Sequence, residues 1–119
     1  MTTIKAYTDL EQSKKLAEIL PLESADMRIG NYVGKSGKVD GTNIHYYAEG
    51  ESFGAPEIIY AWSLAALLGV IPNYELISKH NYHTCIAETS LGKETVAWFD
   101  NPVDACYEMI LKLHELNLL

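Results

Sequence analysis

The clearest pattern of apolar and polar positions lies near the end of the chain. Apolar residues recur there every three or four positions, as they do along one side of a helix. These positions are Val103, Cys106, Met109, Ile110, Leu113 and Leu116. Asn101 suits the N-cap of such a helix, Pro102 its first position and Asp104 its positive first turn. The pattern predicts a C-terminal helix that begins after Asn101.

Two other segments also predict helices. The segment from about Asp9 to Leu20 has an apolar side, and Thr8 and Glu11 have the spacing of a capping box with Thr8 as the N-cap. In the middle of the chain, Ser63 precedes a run of strong helix formers from Leu64 to Gly69. Ser63 is therefore predicted to cap a short buried helix.

Glycines separate short runs of strand-forming residues between Glu23 and Gly54, and this favours short strands joined by turns. Within this region, Gly30 to Ser36 has some likeness to a phosphate-binding loop. That motif needs four residues between its glycines and a helix directly after it. Here only three residues separate the glycines, and more glycines follow. The segment is therefore interpreted as a turn.

Two later segments rich in aromatic and β-branched residues predict an antiparallel hairpin. They are Asn81 to Glu88 and Glu94 to Asp100. If Glu88 pairs with Thr95, the alternation of side chains along a strand sets Cys85 opposite Trp98. We expect that face of the hairpin to belong to the core.

Three helices and four or five short, mostly antiparallel strands predict an α+β fold. The expected architecture is a two-layer one, with a small, mostly antiparallel sheet and about three helices packed on one face. A chain of 119 residues has the size at which one hydrophobic core forms one domain. We therefore expect a single domain over residues 1–119.

The composition of the chain argues against nucleic acid and membranes as binding partners. Sixteen acidic residues against nine Lys and Arg give a formal net charge of -7, which repels phosphate backbones and anionic lipid surfaces alike. The longest apolar stretch, Ile58 to Ile71, is shorter than a bilayer span, and the N-terminal segment lacks the apolar region of a signal peptide. The sequence predicts a cytoplasmic protein that binds neither nucleic acid nor membranes.

His83 and Cys85 form the nearest approach to a reactive cluster, because residues two apart on a strand project to the same face. The favoured interpretation makes Cys85 a reduced, buried core residue and the histidine a surface residue. No metal ion and no cofactor is predicted. The alternative is a small enzyme or ligand-binding domain with a pocket near His83 and Cys85 and a distant acid such as Asp26 or Asp100.

Tyr32, Tyr46 and Tyr47 fall in the glycine-punctuated region, where amphipathic rings on an adaptable backbone make good contact surface. We therefore consider them a candidate interaction surface. The competing interpretation is that the three rings pack the sheet and direct their hydroxyl groups to water.

Three segments together resemble a group of short proteins from gut-associated bacteria and their phages and other mobile elements. The segments are EQSKKLAEILPLESADM, AWSLAALLGVIP and DNPVDACYEMILKLHELNLL. That group has no established activity, so the resemblance implies no catalytic or binding residues. The leading hypothesis is a non-enzymatic accessory or interaction protein that binds an unknown partner protein or itself. A third hypothesis, an acidic mimic of nucleic acid, lacks a regular series of acids.

Overall fold

A computed structural model describes residues 5–48 and 54–119 of the protein. The described residues form three helices, one 3-10 turn and six strands. In chain order the helices and strands are α1 (Leu10–Ile19), β1 (Met27–Val33), β2 (Val39–Ala48), β3 (Glu57–Ala61), α2 (Leu64–Val70), β4 (Tyr74–Lys79), β5 (Tyr82–Thr89), β6 (Gly92–Thr95) and α3 (Pro102–Glu115). The predicted α+β class is confirmed. The strands divide between two antiparallel sheets of three strands each, where one sheet was expected.

Residue contacts divide the chain into two compact units. One unit is the segment Asp9–Trp62, which contains α1 and the sheet with strand order β2-β1-β3. The other combines Met1–Thr8 with Ser63–Leu119 and contains α2, α3 and the sheet with order β4-β5-β6. The expectation of a single domain stays a prediction.

In the first unit, one face of the sheet forms the core against α1. Ile29 of β1 and Ile59 and Ala61 of β3 are buried together, and Leu10 of α1 packs against them. Inward and outward positions alternate along β3, where Ile59 and Ala61 are buried and Ile58 is exposed. The short strands predicted in the region punctuated by glycines are present as β1 and β2.

The N-terminus of α1 lies one residue later than the sequence indicated. Asp9, not Thr8, is the N-cap: its carboxylate accepts from the backbone N–H of Gln12 at 2.8 Å. The Gln12 side-chain oxygen accepts from the Asp9 N–H at 3.2 Å and completes the capping box. Thr8 is fully buried and Glu11 has no part in the cap. The prediction failed because Thr8-Glu11 and Asp9-Gln12 have the same spacing and both suit the motif.

In the second unit, α3 packs against β5 and α2. Both predicted N-caps are confirmed, since Ser63 accepts from Ala66 N at 3.2 Å and Asn101 accepts from Asp104 N at 2.8 Å. The predicted apolar stripe of α3 is also confirmed: all its residues except the last are fully buried. The buried residues are Val103, Cys106, Met109, Ile110 and Leu113.

The predicted register of the hairpin is wrong by two residues. Glu88 pairs with Lys93 rather than Thr95, because the turn between the strands contains only Ser90 and Leu91. Gly92 takes up a φ of 111°, a value that favours glycine, and lets the chain reverse this sharply. Strand β6 therefore ends at Thr95, well before Asp100.

Trp98 consequently does not face Cys85. The residue opposite Cys85 is Leu76, in strand β4, which the sequence analysis did not predict. Beyond β6, Phe99 returns to the sheet, where it exchanges two backbone hydrogen bonds with His83. Trp98 lies next to Phe99 with 47% of its surface exposed, so it is not a core residue.

Candidate functional site

The outer face of the first sheet, which points away from its core, gathers polar and aromatic side chains. Arg28 pairs with Tyr47 on one side and Tyr60 on the other, and Gly30 pairs likewise with His45 and Ile58. Directly opposed residues share a face, and Tyr32 joins them as the next outward position of β1. We call this set the tyrosine face. Its residues are Arg28, Gly30, Tyr32, His45, Tyr47, Ile58 and Tyr60.

Tyr32 and Tyr47 meet at the centre of the tyrosine face. Their hydroxyl groups hydrogen-bond to each other, and the Tyr32 ring meets the His45 ring edge to face with 5.2 Å between centroids. Gly30 makes this arrangement possible. A Cβ at this position would lie 2.8 Å from Tyr47 Cε2 and 3.0 Å from Tyr32 Cε2, closer than carbon atoms pack.

The contact with Tyr32 alters the acidity of Tyr47. The hydrogen bond from one phenol to the other favours the neutral form, and it raises the pKa of Tyr47 from 10.0 to about 12. Partial removal from water acts in the same direction. Tyr47 therefore stays protonated at neutral pH, and nothing here prepares it to act as a base.

Where β1 and β3 pair, the tyrosine face combines a cation with apolar and aromatic side chains. The Arg28 guanidinium lies 4.0 Å from the centroid of the Tyr60 ring, within the range of a cation–π interaction. Next to it, Ile58 is 47% exposed. The tyrosine face as defined above contains no carboxylate, although the chain as a whole carries a formal charge of -7.

The structure brings together two of the three tyrosines proposed from the sequence. Tyr32 and Tyr47 share the tyrosine face, whereas Tyr46 packs against the buried cluster on the opposite side of the sheet. Consecutive residues of a strand project to opposite faces, so Tyr46 and Tyr47 cannot both belong to one surface. The sequence itself contains this alternation, since Tyr46 and Tyr47 are adjacent. Ile58 and Tyr60 were missed because β3 was not predicted, and Arg28 of β1 joins the face through its pairing with Tyr60.

The two residues of the alternative site, His83 and Cys85, differ in their exposure. Cys85 is fully buried, and His83 is half-buried with its Nδ1 at 2.6 Å from Ser78 Oγ. Asp100 is exposed and accepts from the Asn101 side chain, while Asp26 belongs to the other unit. Within residues 5–48 and 54–119, no three His, Cys, Asp or Glu side chains gather so that they could hold a metal ion.

Instead of a histidine, Cys85 meets a second thiol. Cys106 of α3 hydrogen-bonds to Cys85, and both are free and fully buried. This contact and burial raise the pKa of Cys106 well above its ordinary value. A thiol so held is neutral and a poor nucleophile. The sequence could not reveal this pair, since its members are distant along the chain.

At the turn of the hairpin formed by β1 and β2, Asp40 accepts several hydrogen bonds. The hydroxyl group of Thr42 lies 2.6 Å and that of Ser36 2.7 Å from its carboxylate oxygens. The hydroxyl of Thr42 first, then that of Ser36 and the Thr42 N–H, lower the pKa of Asp40 to about 2. These hydrogen bonds order the turn, and each of them uses a carboxylate oxygen of Asp40 as its acceptor.

No protein-family model, curated protein or solved structure matches this chain. None of the helices in the two described ranges is both long and apolar enough to cross a lipid bilayer.

Proposed function

We infer that the protein is a non-enzymatic interaction protein that binds a partner protein through the tyrosine face. The observation that carries this proposal is the composition of that face. It combines tyrosine rings, an arginine and the exposed Ile58, and its defined positions contain no carboxylate. Tyrosine and arginine are enriched in protein interfaces, where acidic residues are depleted.

The same face is also preorganised. Tyr32 and Tyr47 hold each other through their hydroxyl groups, and Arg28 is held against Tyr60. Side chains that are already ordered lose less conformational entropy when a partner binds. The buried free thiols are consistent with a reducing compartment, so the proposal includes a cytoplasmic location. Association with phages or other mobile elements belongs to the same proposal.

Affinity capture from the producing cells, with three forms of the protein as bait, tests this function. Ile58→Asp places a charge on the exposed apolar part of the tyrosine face, while Leu91→Asp makes the same change at an exposed turn outside it. We expect a partner that the wild type and Leu91→Asp retain and Ile58→Asp loses. Calorimetry with the purified partner must then show that the wild type and Leu91→Asp bind it more tightly than Ile58→Asp does.

Self-association is measured on the same three proteins by analytical ultracentrifugation, because a second copy of the chain would also qualify as the partner. The proposal fails if no partner is captured and the wild type remains monomeric. It also fails if Ile58→Asp and Leu91→Asp bind as well as the wild type.

A further inference from the structure

A second surface, in the unit that contains α3, has the form of a small binding site. Lys79 and Tyr82 close a two-residue turn made of His80 and Asn81. The turn residues have φ values of 51° and 64°, as in the tight turns that match the twist of a hairpin. Lys79, His80 and Tyr82 line a cavity together with Trp98, and we call this site the aromatic cleft.

Two aromatic rings form most of the aromatic cleft. Tyr82 is 54% and Trp98 47% exposed, which is unusual for side chains with so much apolar surface. The cavity has a volume of about 400 Å³, at the lower end of the range for ligand sites. A space of this size suits one large side chain. Exposed tryptophan and tyrosine are also the residues that most often dominate the energy of protein interfaces.

The formal charge among the residues that line the aromatic cleft is positive. Lys79 supplies an ammonium group, and none of the four lining residues is acidic. Glu75 lies four residues before Lys79 on the same strand, which corresponds to about 13 Å. Asp100, two residues beyond Trp98, does not line the cavity.

We propose that the aromatic cleft binds an acidic peptide segment of a partner protein, with one apolar side chain of the segment inserted against Trp98 and Tyr82 and a neighbouring carboxylate paired with Lys79. Since both rings are already about half exposed, the segment can enter without any opening of the fold. The site is separate from the tyrosine face and does not depend on the function proposed for it.

Fluorescence quenching of the wild-type protein measures this binding directly. The chain contains two tryptophans, and Trp62 is fully buried, so acrylamide quenches mainly Trp98. The probes are synthetic peptides with a central phenylalanine or leucine flanked by aspartate and glutamate. Matched peptides carry lysine and arginine, or serine, in place of the acids. We expect the acidic peptides alone to protect Trp98 from quenching, and to do so less at high salt.

Calorimetry with the same peptides then compares variants. Trp98→Ala should weaken binding about 30-fold, as expected when a dominant interface side chain is truncated. Lys79→Glu should weaken it several-fold, because the attraction becomes a repulsion. Leu91→Ala, at an exposed position at the other end of β5, should leave the affinity unchanged. All three positions are exposed, so circular dichroism should show the fold of each variant intact.

Results other than those expected would overturn the proposal. Absence of binding to the acidic peptides would do so, as would equal binding of the basic or serine peptides. Binding that survives both Trp98→Ala and Lys79→Glu would place the peptide elsewhere. Ile58→Asp serves as a further control: it disrupts the tyrosine face and should not change the affinity for these peptides, so the two proposals can fail independently.

Discussion

Two titratable side chains of the first unit have pKa values that hydrogen bonds from neighbouring residues shift. Asp40 is exposed, yet the hydroxyl groups of Thr42 and Ser36 stabilise its ionised form. In Tyr47 the effect has the opposite sign, because Tyr32 stabilises the neutral phenol. Neither group is prepared for catalysis, since neither pKa moves towards neutrality. Both shifts instead report local order, in a turn and in the tyrosine face.

Thr42→Val should raise the pKa of Asp40 from about 2 towards 3.8, because it removes the hydroxyl that contributes most. Ionised Asp40 supports the turn fully above pH 3.8, and this support is lost as the pH falls through about 2. Titration of the side-chain carboxyl by NMR measures the shift. Ser36→Ala should produce a smaller rise, and equal midpoints in all three proteins would contradict this account.

Tyr32→Phe should lower the pKa of Tyr47 from about 12 towards 10.0, since the partner hydroxyl is lost while the ring remains. The stabilisation associated with neutral Tyr47 is complete below pH 10 and disappears as the pH rises through about 12. Alkaline titration of protein with NMR-labelled tyrosine side chains reports the value. Tyr82→Phe, in the other sheet, should leave it unaltered.

At the level of elements, the helix termini depend on short side-chain contacts. Asn101 accepts from the N–H of Asp104 and also donates to its carboxylate at 2.7 Å, so it connects the cap of α3 with an acid in the positive first turn. Lys5 forms an ion pair with the same carboxylate at 2.9 Å. The start of α3 is thus held by contacts from two different parts of the second unit.

Asn101→Ala should lower the free energy of unfolding by about 1 kcal/mol, the usual cost of losing an N-cap acceptor. Asn101→Ser retains an acceptor at the same position and should recover most of this loss. Urea denaturation of the three proteins provides the measurement. A result in which serine is no better than alanine would show that the cap hydrogen bond does not contribute.

At the scale of the whole molecule, burial limits the chemical reactivity of the two cysteines. Cys85 and Cys106 are both fully buried where β5 meets α3, and neither thiol can reach a reagent in the native fold. The elevated pKa of Cys106 reduces its thiolate fraction further. The two thiols therefore have no part in the proposed functions, which belong to the tyrosine face and the aromatic cleft.

Both thiols should remain unlabelled by an aromatic disulfide reagent at mildly alkaline pH and should react when urea unfolds the protein. The labelling rate should follow the unfolded fraction, because access requires separation of β5 from α3. A Ser90→Cys variant, whose new thiol lies in an exposed turn, should react at once and serves as the control. Rapid labelling of native wild-type protein would show that the pair is accessible.

Sequence reasoning was most successful where a signal is contained within a few residues. The caps at Ser63 and Asn101 and the period of α3 depend on contacts within one or two turns of helix, and all were predicted. The hairpin register failed at the turn, where a two-residue loop rather than a longer one shifted every pairing. Strands β3 and β4 were missed because short apolar runs do not distinguish strand from helix or loop.

The candidate sites show the same difference between features that neighbouring residues determine and features that depend on distant contacts. Tyr32 and Tyr47 could be selected as surface aromatics, but their contact with each other and with Arg28 depends on the pairing of β1 with β2 and β3. In the aromatic cleft, Trp98 comes together with Tyr82 because the neighbouring residues Phe99 and His83 form a backbone bridge. The predicted register of the hairpin excluded this bridge.

Local patterns in the chain were thus sufficient for the α+β class, the helices, two of their caps and the acidic character. The tertiary structure alone decided that the strands form two sheets, that Cys85 meets Cys106 rather than Trp98, and which aromatic rings share a surface. The physical reason is that helix periodicity and capping act between neighbours in the chain. Strand partners and faces are set by contacts between distant residues, whose order depends on the length of each turn.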